Sequence, residues 1–364
     1  MIRPALQGLV PYEPGMPVEE CQRELGLERV VKLASNEGPY GPFPAAQDAI
    51  ERASLELNRY PDGGVYRLRQ ALGARHGVRF EEITVCAGAD AVIGFVALAT
   101  LDPGDEAVTG WPSFPSYVLD PLKLGAVPVR VPLRDDRFDL DAMLSAITNR
   151  TKLVFIAAPN NPTGTTSTRD ELDAYFAGVP PHVLTVLDQA YFEYIDDPDY
   201  PDAVEEYAKA GHRVLVLRTF SKLFGLAGLR VGYGIGPEEV ITAIGKVRRA
   251  FDVTSAGQEA ALASLDDTAE VERRRAANRE ARALLQEALE ANGLQPAGPA
   301  VANFLFARVG DATAVSDALL RRGVIVRPLG SFGAPDAVRI TAGTPDEIAF
   351  LADALASVAP ALRP

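Results

Sequence analysis

From Ile83 onward, short apolar segments alternate with helical segments, and this alternation restricts the fold more than any other feature of the chain. Apolar runs at 83–86, 106–109, 127–131, 152–157, 183–187 and 214–217 have the composition and length of buried strands. Strands that are separated by helices predict a mostly parallel sheet covered by helices on both faces. We therefore predict an α/β fold, with a seventh strand at 231–234 running back.

The predicted strands deliver polar, aromatic and glycine residues to a single edge of the sheet. In an open parallel sheet, ligands bind in the crevice outside the carboxyl ends of the strands. Five loops leave the predicted strands at that edge, and they contain Gly88, Trp111, Asn161, Asp188 and Lys222. The spacing alone predicts one crevice that is lined by these five loops.

After Gly236 the pattern changes to long helices, with a charged run at 270–282 that is typical of a solvated helix face. A helical segment is expected from Thr254 for most of the way to Asn292, followed by a smaller unit of strands and helices. We expect a large domain over residues 36–250 and a smaller α/β domain built from residues 1–35 and 251–364.

Composition limits the classes of partner and the compartment. A net charge of −13 disfavours nucleic acids and anionic membranes, because both need a basic surface. Two cysteines in 364 residues cannot form a disulfide framework, so a reducing, cytoplasmic location is expected. The three histidines lie far apart, which argues against a metal site. We see neither a signal peptide nor an apolar run long enough to span a membrane.

Lys222 is the residue in the five loops with the clearest chemical use. The apolar strand 214–217 leads into Thr219-Phe-Ser-Lys222, and glycines and Arg230 follow. An amine at a strand end can form a Schiff base with a carbonyl group. Ser221 and Arg230 could hold an anion beside that amine. This set suggests pyridoxal phosphate as the cofactor, although the stretch alone is also compatible with a solvated turn.

The other strand ends supply what a pyridoxal ring requires. Asp188 could pair with the ring nitrogen and keep the ring an electron sink, although a helix cap is an equally good interpretation. Asn161 and Tyr191 could contact the ring hydroxyl, and the helix start at Gly88-Ala89-Asp90 could hold a phosphate. Phe114 could stack on a flat cofactor or lie in the core. Because all of them follow successive strands, together they predict one cofactor site.

These motifs, in this order, resemble the histidinol-phosphate aminotransferase family, which belongs to the fold-type I pyridoxal-phosphate enzymes. The resemblance extends from about Pro11 to Thr341. It rests on Leu33-Ala-Ser-Asn36-Glu, Arg59-Tyr60-Pro-Asp, Pro159-Asn-Asn161-Pro-Thr-Gly164, Asp188-Gln-Ala-Tyr191, Thr219-Phe-Ser-Lys222 and Arg230-Val-Gly-Tyr. The family fold implies a seven-stranded sheet between helices in the large domain.

The resemblance implies a role for each matching residue. Lys222 would anchor the cofactor covalently and move the substrate proton, with Asp188 and Tyr191 as the other catalytic residues. Asn161 would contact the ring hydroxyl and Phe114 would stack on the ring. The phosphate would be held by Ser221, Arg230 and the amides of Ala89 and Asp90.

The family also implies a homodimer with shared sites, because Tyr60 would reach the phosphate of the cofactor in the neighbouring subunit. Arg339 and Arg327 would bind the anionic end of the substrate, and Tyr12 and Asn36 would line its pocket. Arginine suits a carboxylate and a phosphate equally, so these residues leave the substrate open.

Three departures from the family pattern are Gln189, Ala91 and Gly38, and none of them removes a catalytic group. The segment Gly110-Trp-Pro-Ser-Phe114 resembles the aromatic-amino-acid aminotransferase branch of the same family. We expect a transaminase for histidinol phosphate and 2-oxoglutarate, with phenylalanine and tyrosine as the alternative amino donors. A threonine-phosphate decarboxylase and a non-catalytic, cofactor-binding regulator are less favoured alternatives.

Overall fold

The computed structural model describes residues 2–9 and 15–358 of the chain. In chain order, its strands are β1 (Val31–Lys32), β2 (Ile83–Cys86), β3 (Glu106–Trp111), β4 (Val127–Pro132), β5 (Thr151–Ala157), β6 (Leu184–Asp188), β7 (Val214–Thr219), β8 (Gly232–Ile235), β9 (Phe304–Arg308), β10 (Val324–Ile325), β11 (Arg327–Leu329) and β12 (Ala334–Thr341).

The α-helices flank these strands in the alternating order that the apolar pattern predicts. They are α1 (Val18–Leu25), α2 (Pro44–Ser54), α3 (Tyr66–His76), α4 (Ala89–Thr100), α5 (Ser116–Leu124), α6 (Leu140–Ser145), α7 (Arg169–Gly178), α8 (Glu238–Val247), α9 (Ser255–Ser264), α10 (Thr268–Ala291), α11 (Ala312–Leu320) and α12 (Pro345–Val358). Short 3₁₀ turns lie at Pro4–Leu6, Phe80–Glu82, Phe192–Tyr194, Ala227–Leu229 and Gly330–Phe332, and a π-helical turn lies at Val204–Ala208.

Seven strands form the main sheet in the order β2-β8-β7-β6-β5-β3-β4. Neighbours from β4 to β7 run parallel, and β8 is antiparallel to both β7 and β2. Strand β2 therefore has the same direction as the parallel strands. This arrangement confirms the predicted mostly parallel seven-stranded sheet, including the strand that runs back.

The central strands are apolar because both of their faces are covered by helices. Every residue of the central strands β6 and β7 is buried. In the edge strand β4, Val131 is buried and the other residues are exposed or partly buried. The five loops expected at one edge of the sheet do leave β2, β3, β5, β6 and β7 at their carboxyl ends, which brings them together.

A second hydrophobic core lies outside the main sheet. Strands β11, β12 and β9 form an antiparallel sheet, and β1 pairs with β10. Residues from both ends of the chain fill this core, including Val31, Leu285, Leu305, Val324 and Leu351. This second core therefore combines residues from near the N-terminus with residues from 281 onward.

The division of the chain at residue 250 stays a prediction. Helix α9 lies beyond that boundary, yet it packs against α2. Its Ala260 and Ala261 belong to the same core as the main sheet. The segment expected to be helical from Thr254 for most of the way to Asn292 consists of two helices, α9 and α10. The break falls before Asp267, whose carboxylate caps α10 by accepting the Glu270 N–H at 3.0 Å.

No helix in the described part of the chain has the length and apolar character that crossing a membrane requires. Among residues 2–9 and 15–358, no three histidine, cysteine or acidic side chains are grouped closely enough to hold a metal ion.

Candidate active site

The carboxyl ends of the parallel strands surround a cavity of about 190 Å³. Its walls come from the loops after β2, β3, β5, β6 and β7, together with Ser35 and Asn36 from the N-terminal part and Phe332 and Arg339 from the smaller sheet. Eleven of the predicted site residues line this cavity: Asn36, Ala89, Asp90, Phe114, Asn161, Asp188, Tyr191, Ser221, Lys222, Arg230 and Arg339.

Lys222 follows β7 and projects its amine into the cavity. The Nζ atom lies 3.5 Å from the carbonyl oxygen of Ser35. Burial and then the positive charge of Arg339 lower the pKa of the Lys222 amine to about 7. A large fraction of this amine is therefore uncharged near neutral pH, which is the form that attacks a carbonyl carbon.

Asp188 is the last residue of β6, and its carboxylate is 8% exposed. The Tyr117 hydroxyl donates to Oδ2 at 2.7 Å, and the Ala190 N–H donates to Oδ1 at 2.9 Å. Burial raises the pKa of Asp188, while these two donors oppose that rise. Among the described residues Asp188 forms no ion pair. A buried carboxylate of this kind fits a ligand cation such as a protonated ring nitrogen.

Tyr191 and Asn36 both line the cavity and contact each other. The Asn36 side-chain amide donates to the Tyr191 hydroxyl at 2.9 Å, and burial raises the pKa of that hydroxyl to about 12. Asn36 adopts a left-handed backbone with φ 54°, and its N–H donates to Thr341 Oγ1 at 3.0 Å. These contacts join the N-terminal segment to β12 at the wall of the cavity.

Arg339 is 4% exposed and bridges two walls of the cavity. Its Nη1 donates to Asn161 Oδ1 at 2.5 Å, and its Nη2 donates to the Ala34 carbonyl at 2.7 Å. The guanidinium also lies 5.3 Å from the centre of the Phe332 ring. Arg339 is thus a preoriented cation that faces the interior of the site, as the recognition of an anionic group requires.

Several hydrogen-bond donors that could bind an anion lie at the end of the cavity near α4. The helix leaves its first amides, at Ala89 and Asp90, without intrahelical acceptors. Arg230 Nη1 lies 3.5 Å from Ser221 Oγ. Gly88 has φ 91°, and a Cβ atom there would lie 2.8 Å from Arg230 Nη2. Glycine therefore lets the guanidinium come close to the helix start, and this donor set fits a phosphate.

Three predicted residues of the described chain, Tyr60, Arg327 and Trp111, do not line the cavity. Tyr60 is 83% exposed and stacks on Phe251 at 4.8 Å. Arg327 is the antiparallel partner of Arg339 in the smaller sheet, so it lies beside the cavity without lining it. Trp111 lies against Gly333. Tyr12 lies outside the described residues.

Two aromatic residues that line the cavity, Tyr117 and Phe332, are not among the residues predicted from the sequence. Tyr117 stacks on Phe155 with ring centres 5.0 Å apart, meets Phe114 edge-on, and donates to Asp188. Its position three residues after Phe114, in the first turn of α5, is a signal that could have indicated it. Phe332 lies 2% exposed between the smaller sheet and the cavity, and its local sequence carries no such signal.

Comparison with known proteins adds independent findings. The family described as aminotransferase class I and II matches residues 28–355. A histidinol-phosphate aminotransferase of Moorella thermoacetica is 44% identical over 344 residues, covering 94% of this chain and 89% of that protein. A histidinol-phosphate aminotransferase of Akkermansia muciniphila is 44% identical over 353 residues, covering 96% of each chain.

Solved structures of aminotransferases are also similar to this chain. The histidinol-phosphate aminotransferase of Sinorhizobium meliloti in complex with pyridoxal-5'-phosphate has a TM-score of 0.88 at 28% identity, covering 100% of this chain and 98% of that one. An aspartate aminotransferase mutant of Thermus thermophilus has a TM-score of 0.86 at 26% identity, covering 99% of both chains. The backbone arrangement is therefore shared by enzymes that are named for different substrates.

Proposed function

The chain belongs to the class I and II aminotransferases, and from this premise we propose that it transfers the amino group of histidinol phosphate to 2-oxoglutarate. Pyridoxal 5'-phosphate is its cofactor. The observation that carries the assignment is the buried Lys222 amine, with its pKa lowered to about 7, in one cavity with Asp188 and Arg339. The relatives named for histidinol phosphate support the choice of substrate.

We assign each polar group of the cavity to one part of the cofactor. Lys222 would hold it covalently through Nζ, and Asp188 would pair with its ring nitrogen. Tyr191 and Asn161 would contact the ring hydroxyl, and Phe114 would stack on the ring. The phosphate would lie on Ser221, Arg230 and the amides of Ala89 and Asp90. When bound, pyridoxal phosphate supplies an electron-withdrawing ring that stabilises negative charge on the substrate's α-carbon.

Lys222 is the group that we propose to move the proton. With substrate in its place on the cofactor, Lys222 would have a free amine that can act as a base within the cavity. Because its pKa is lowered to about 7, a large fraction of the amine is uncharged at neutral pH, and Nζ can accept the proton from the substrate's α-carbon. The Tyr191 hydroxyl, fixed by Asn36, would orient the ring for this transfer.

The substrate's anionic end would bind Arg339, with Arg327 and Asn36 nearby and Tyr12 in the pocket. Two guanidinium groups on registered positions of β11 and β12 suit a doubly charged phosphate. Aromatic 2-oxo acids are the second candidate substrates. They are favoured by the aromatic wall that Phe114, Tyr117 and Phe332 form, which could also accept a phenyl ring.

We expect the transaminase to release 2-oxoglutarate from glutamate even when no acceptor is present. The amino group stays on the enzyme's cofactor, so release stops at about one equivalent per subunit, as in a ping-pong cycle. The measurement is 2-oxoglutarate by a coupled assay, together with the visible spectrum of the bound cofactor. Release of carbon dioxide from threonine phosphate without any 2-oxoglutarate would instead indicate the decarboxylase.

We further propose a cytoplasmic homodimer in which Tyr60 completes the neighbouring subunit's phosphate site. Tyr60 and Phe251 form a stacked, exposed aromatic pair outside their own cavity. Exposed aromatic side chains of this kind are common at subunit interfaces. In a twofold dimer the same patch would serve both sites.

Hybrid dimers test this sharing directly. We expect Tyr60→Ala and Lys222→Ala homodimers to have low activity, whereas a hybrid with one subunit of each regains about half of the wild-type activity. The reason is that one of its two sites then contains an intact Lys222 and an intact Tyr60. The measurement is turnover of purified, differently tagged hybrids at limiting cofactor.

A hybrid as inactive as both parents would show that Tyr60 acts within its own subunit, and full activity of the Tyr60→Ala homodimer would show that Tyr60 takes no part in the site. Tyr66→Ala is the matched control, because Tyr66 is also an exposed tyrosine, 55% accessible, and it packs against Phe80 rather than Phe251. We expect this substitution to leave activity unchanged.

A further inference from the structure

Gln189 follows Asp188 directly, and its side chain is completely buried behind the cavity. Its Oε1 accepts from Arg218 Nη2 at 2.8 Å and from the Ala203 N–H at 3.3 Å. Its Nε2 donates to the Pro201 carbonyl at 2.9 Å and lies 3.0 Å from the Tyr200 hydroxyl. Because a guanidinium and a backbone N–H can only donate, these partners fix the orientation of the amide.

The direction of the next hydrogen bond follows from that orientation. The Gln189 amino group can only donate, so the Tyr200 hydroxyl accepts from it. The hydroxyl hydrogen is then available to the carbonyl oxygen of Ala158, with which Tyr200 is in hydrogen-bond contact. A glutamate at position 189 has no N–H to start this sequence of bonds. We call Gln189 and Tyr200 the Gln189–Tyr200 relay.

Ala158 lies at the end of β5, where the ladder with β6 is interrupted. The Ala158 N–H donates to the Asp188 carbonyl at 3.0 Å. In a regular parallel ladder, the next bond would run from the Ala190 N–H to the Ala158 carbonyl. Here the Ala190 N–H instead donates to Asp188 Oδ1 at 2.9 Å. The Tyr200 hydroxyl donates to the Ala158 carbonyl in place of the Ala190 N–H.

We propose that the Gln189–Tyr200 relay positions Asp188 for the cofactor, because it releases the Ala190 amide from the sheet to hold the carboxylate. The proposal rests on the pairing of Asp188 with the cofactor that is proposed above. Tyr200 and Gln189 are positioning residues, since neither lines the cavity. Without the hydroxyl, the Ala158 carbonyl is left without its donor, and the Ala190 N–H returns to it. Asp188 then loses one of its two donors.

The test is cofactor affinity in a double-mutant cycle of Tyr200→Phe and Asp188→Asn. Binding of pyridoxal phosphate to the apoenzyme is measured by the fluorescence of Trp111, the single tryptophan of the chain. We expect Tyr200→Phe alone to weaken binding by about five- to tenfold, the effect of one lost hydrogen bond. In the Asp188→Asn background, the same substitution is expected to change the affinity by less than about twofold.

Tyr175→Phe is the matched control, because it also removes a buried tyrosine hydroxyl beside β6. That hydroxyl contacts Thr185 Oγ1 at 3.0 Å, away from the cavity. We expect similar losses of unfolding stability from both tyrosine substitutions but a loss of cofactor affinity from Tyr200→Phe alone.

Two results would overturn the proposal: unchanged affinity in Tyr200→Phe, or an equal loss of affinity with and without Asp188. If Asp188→Asn itself leaves the affinity unchanged, the proposed pairing of Asp188 is wrong as well. A loss in Asp188→Asn with none in Tyr200→Phe rejects the relay alone.

Discussion

Replacing Lys222 with alanine is expected to lower transamination by roughly a thousandfold or more, because one side chain supplies both the covalent anchor and the base. Lys222 is the one lysine among the residues that line the described cavity. Burial and the charge of Arg339 lower the pKa of its amine to about 7, which suits both tasks at neutral pH. The measurement is glutamate formation from 2-oxoglutarate and the amino donor at saturating cofactor.

Two variants separate this role from a general effect of losing a lysine. Lys222→Arg keeps the positive charge but cannot form the covalent bond, so we expect it to be as inactive as the alanine variant. Lys246→Ala removes an exposed lysine on α8 and should retain full activity. Turnover of Lys222→Ala within about tenfold of the wild type would contradict the proposed mechanism.

Replacing Arg339 with lysine is expected to reduce kcat/KM by roughly a hundredfold, mainly through a higher KM. The fixed fork of the guanidinium would bind an anionic group through two parallel hydrogen bonds, and an ammonium group cannot reproduce this geometry. Arg339 is also held in place by Asn161 and the Ala34 carbonyl, so a lysine would be less well oriented. Steady-state kinetics with each substrate gives the two constants separately.

Arg308→Lys is the control for this substitution. Arg308 lies on β9 of the same small sheet, and it pairs with Asp136 at the surface with its side chain 53% exposed. We expect its kinetics to match those of the wild type. If Arg339→Lys also matches the wild type, then Arg339 does not bind the substrate's anionic end.

The sequence predicts the large sheet well because the positions of its strands are encoded in local patterns of apolar residues. Apolar runs of strand length, each followed by a turn and a helix, determine strand positions, and their alternation determines the parallel arrangement. The site residues Asn161, Asp188 and Lys222 are predictable for the same reason, since each follows a strand whose carboxyl end must lie at one edge.

Contacts between distant parts of the chain have no local sequence pattern from which they could be predicted. The three-residue strand β11 is too short to give a periodic pattern, and its position is determined by its antiparallel pairing with β12. The donation from Tyr117 to Asp188 joins residues that are 71 positions apart. The expectation of a mostly helical segment from Thr254 to Asn292 did not give the position of the break between α9 and α10, although Asp267 is a recognisable helix cap.

Gln189 illustrates the same limit at one residue. In the sequence it is only a departure from the usual acidic residue of the family. The structure shows that both hydrogens and the oxygen of its amide have partners, contributed by Arg218 and by residues 200–203. Such a role depends on the loop after β6 folding back beneath the site, which no local pattern indicates.

The most direct test of the proposed function is kcat/KM for histidinol phosphate, compared with phenylalanine and tyrosine under identical conditions with 2-oxoglutarate as acceptor. If Arg339 and Arg327 serve a phosphate, histidinol phosphate should be preferred by roughly a hundredfold or more. Equal values, or a preference for the free aromatic amino acids, would contradict the assignment and identify the chain as an aromatic aminotransferase.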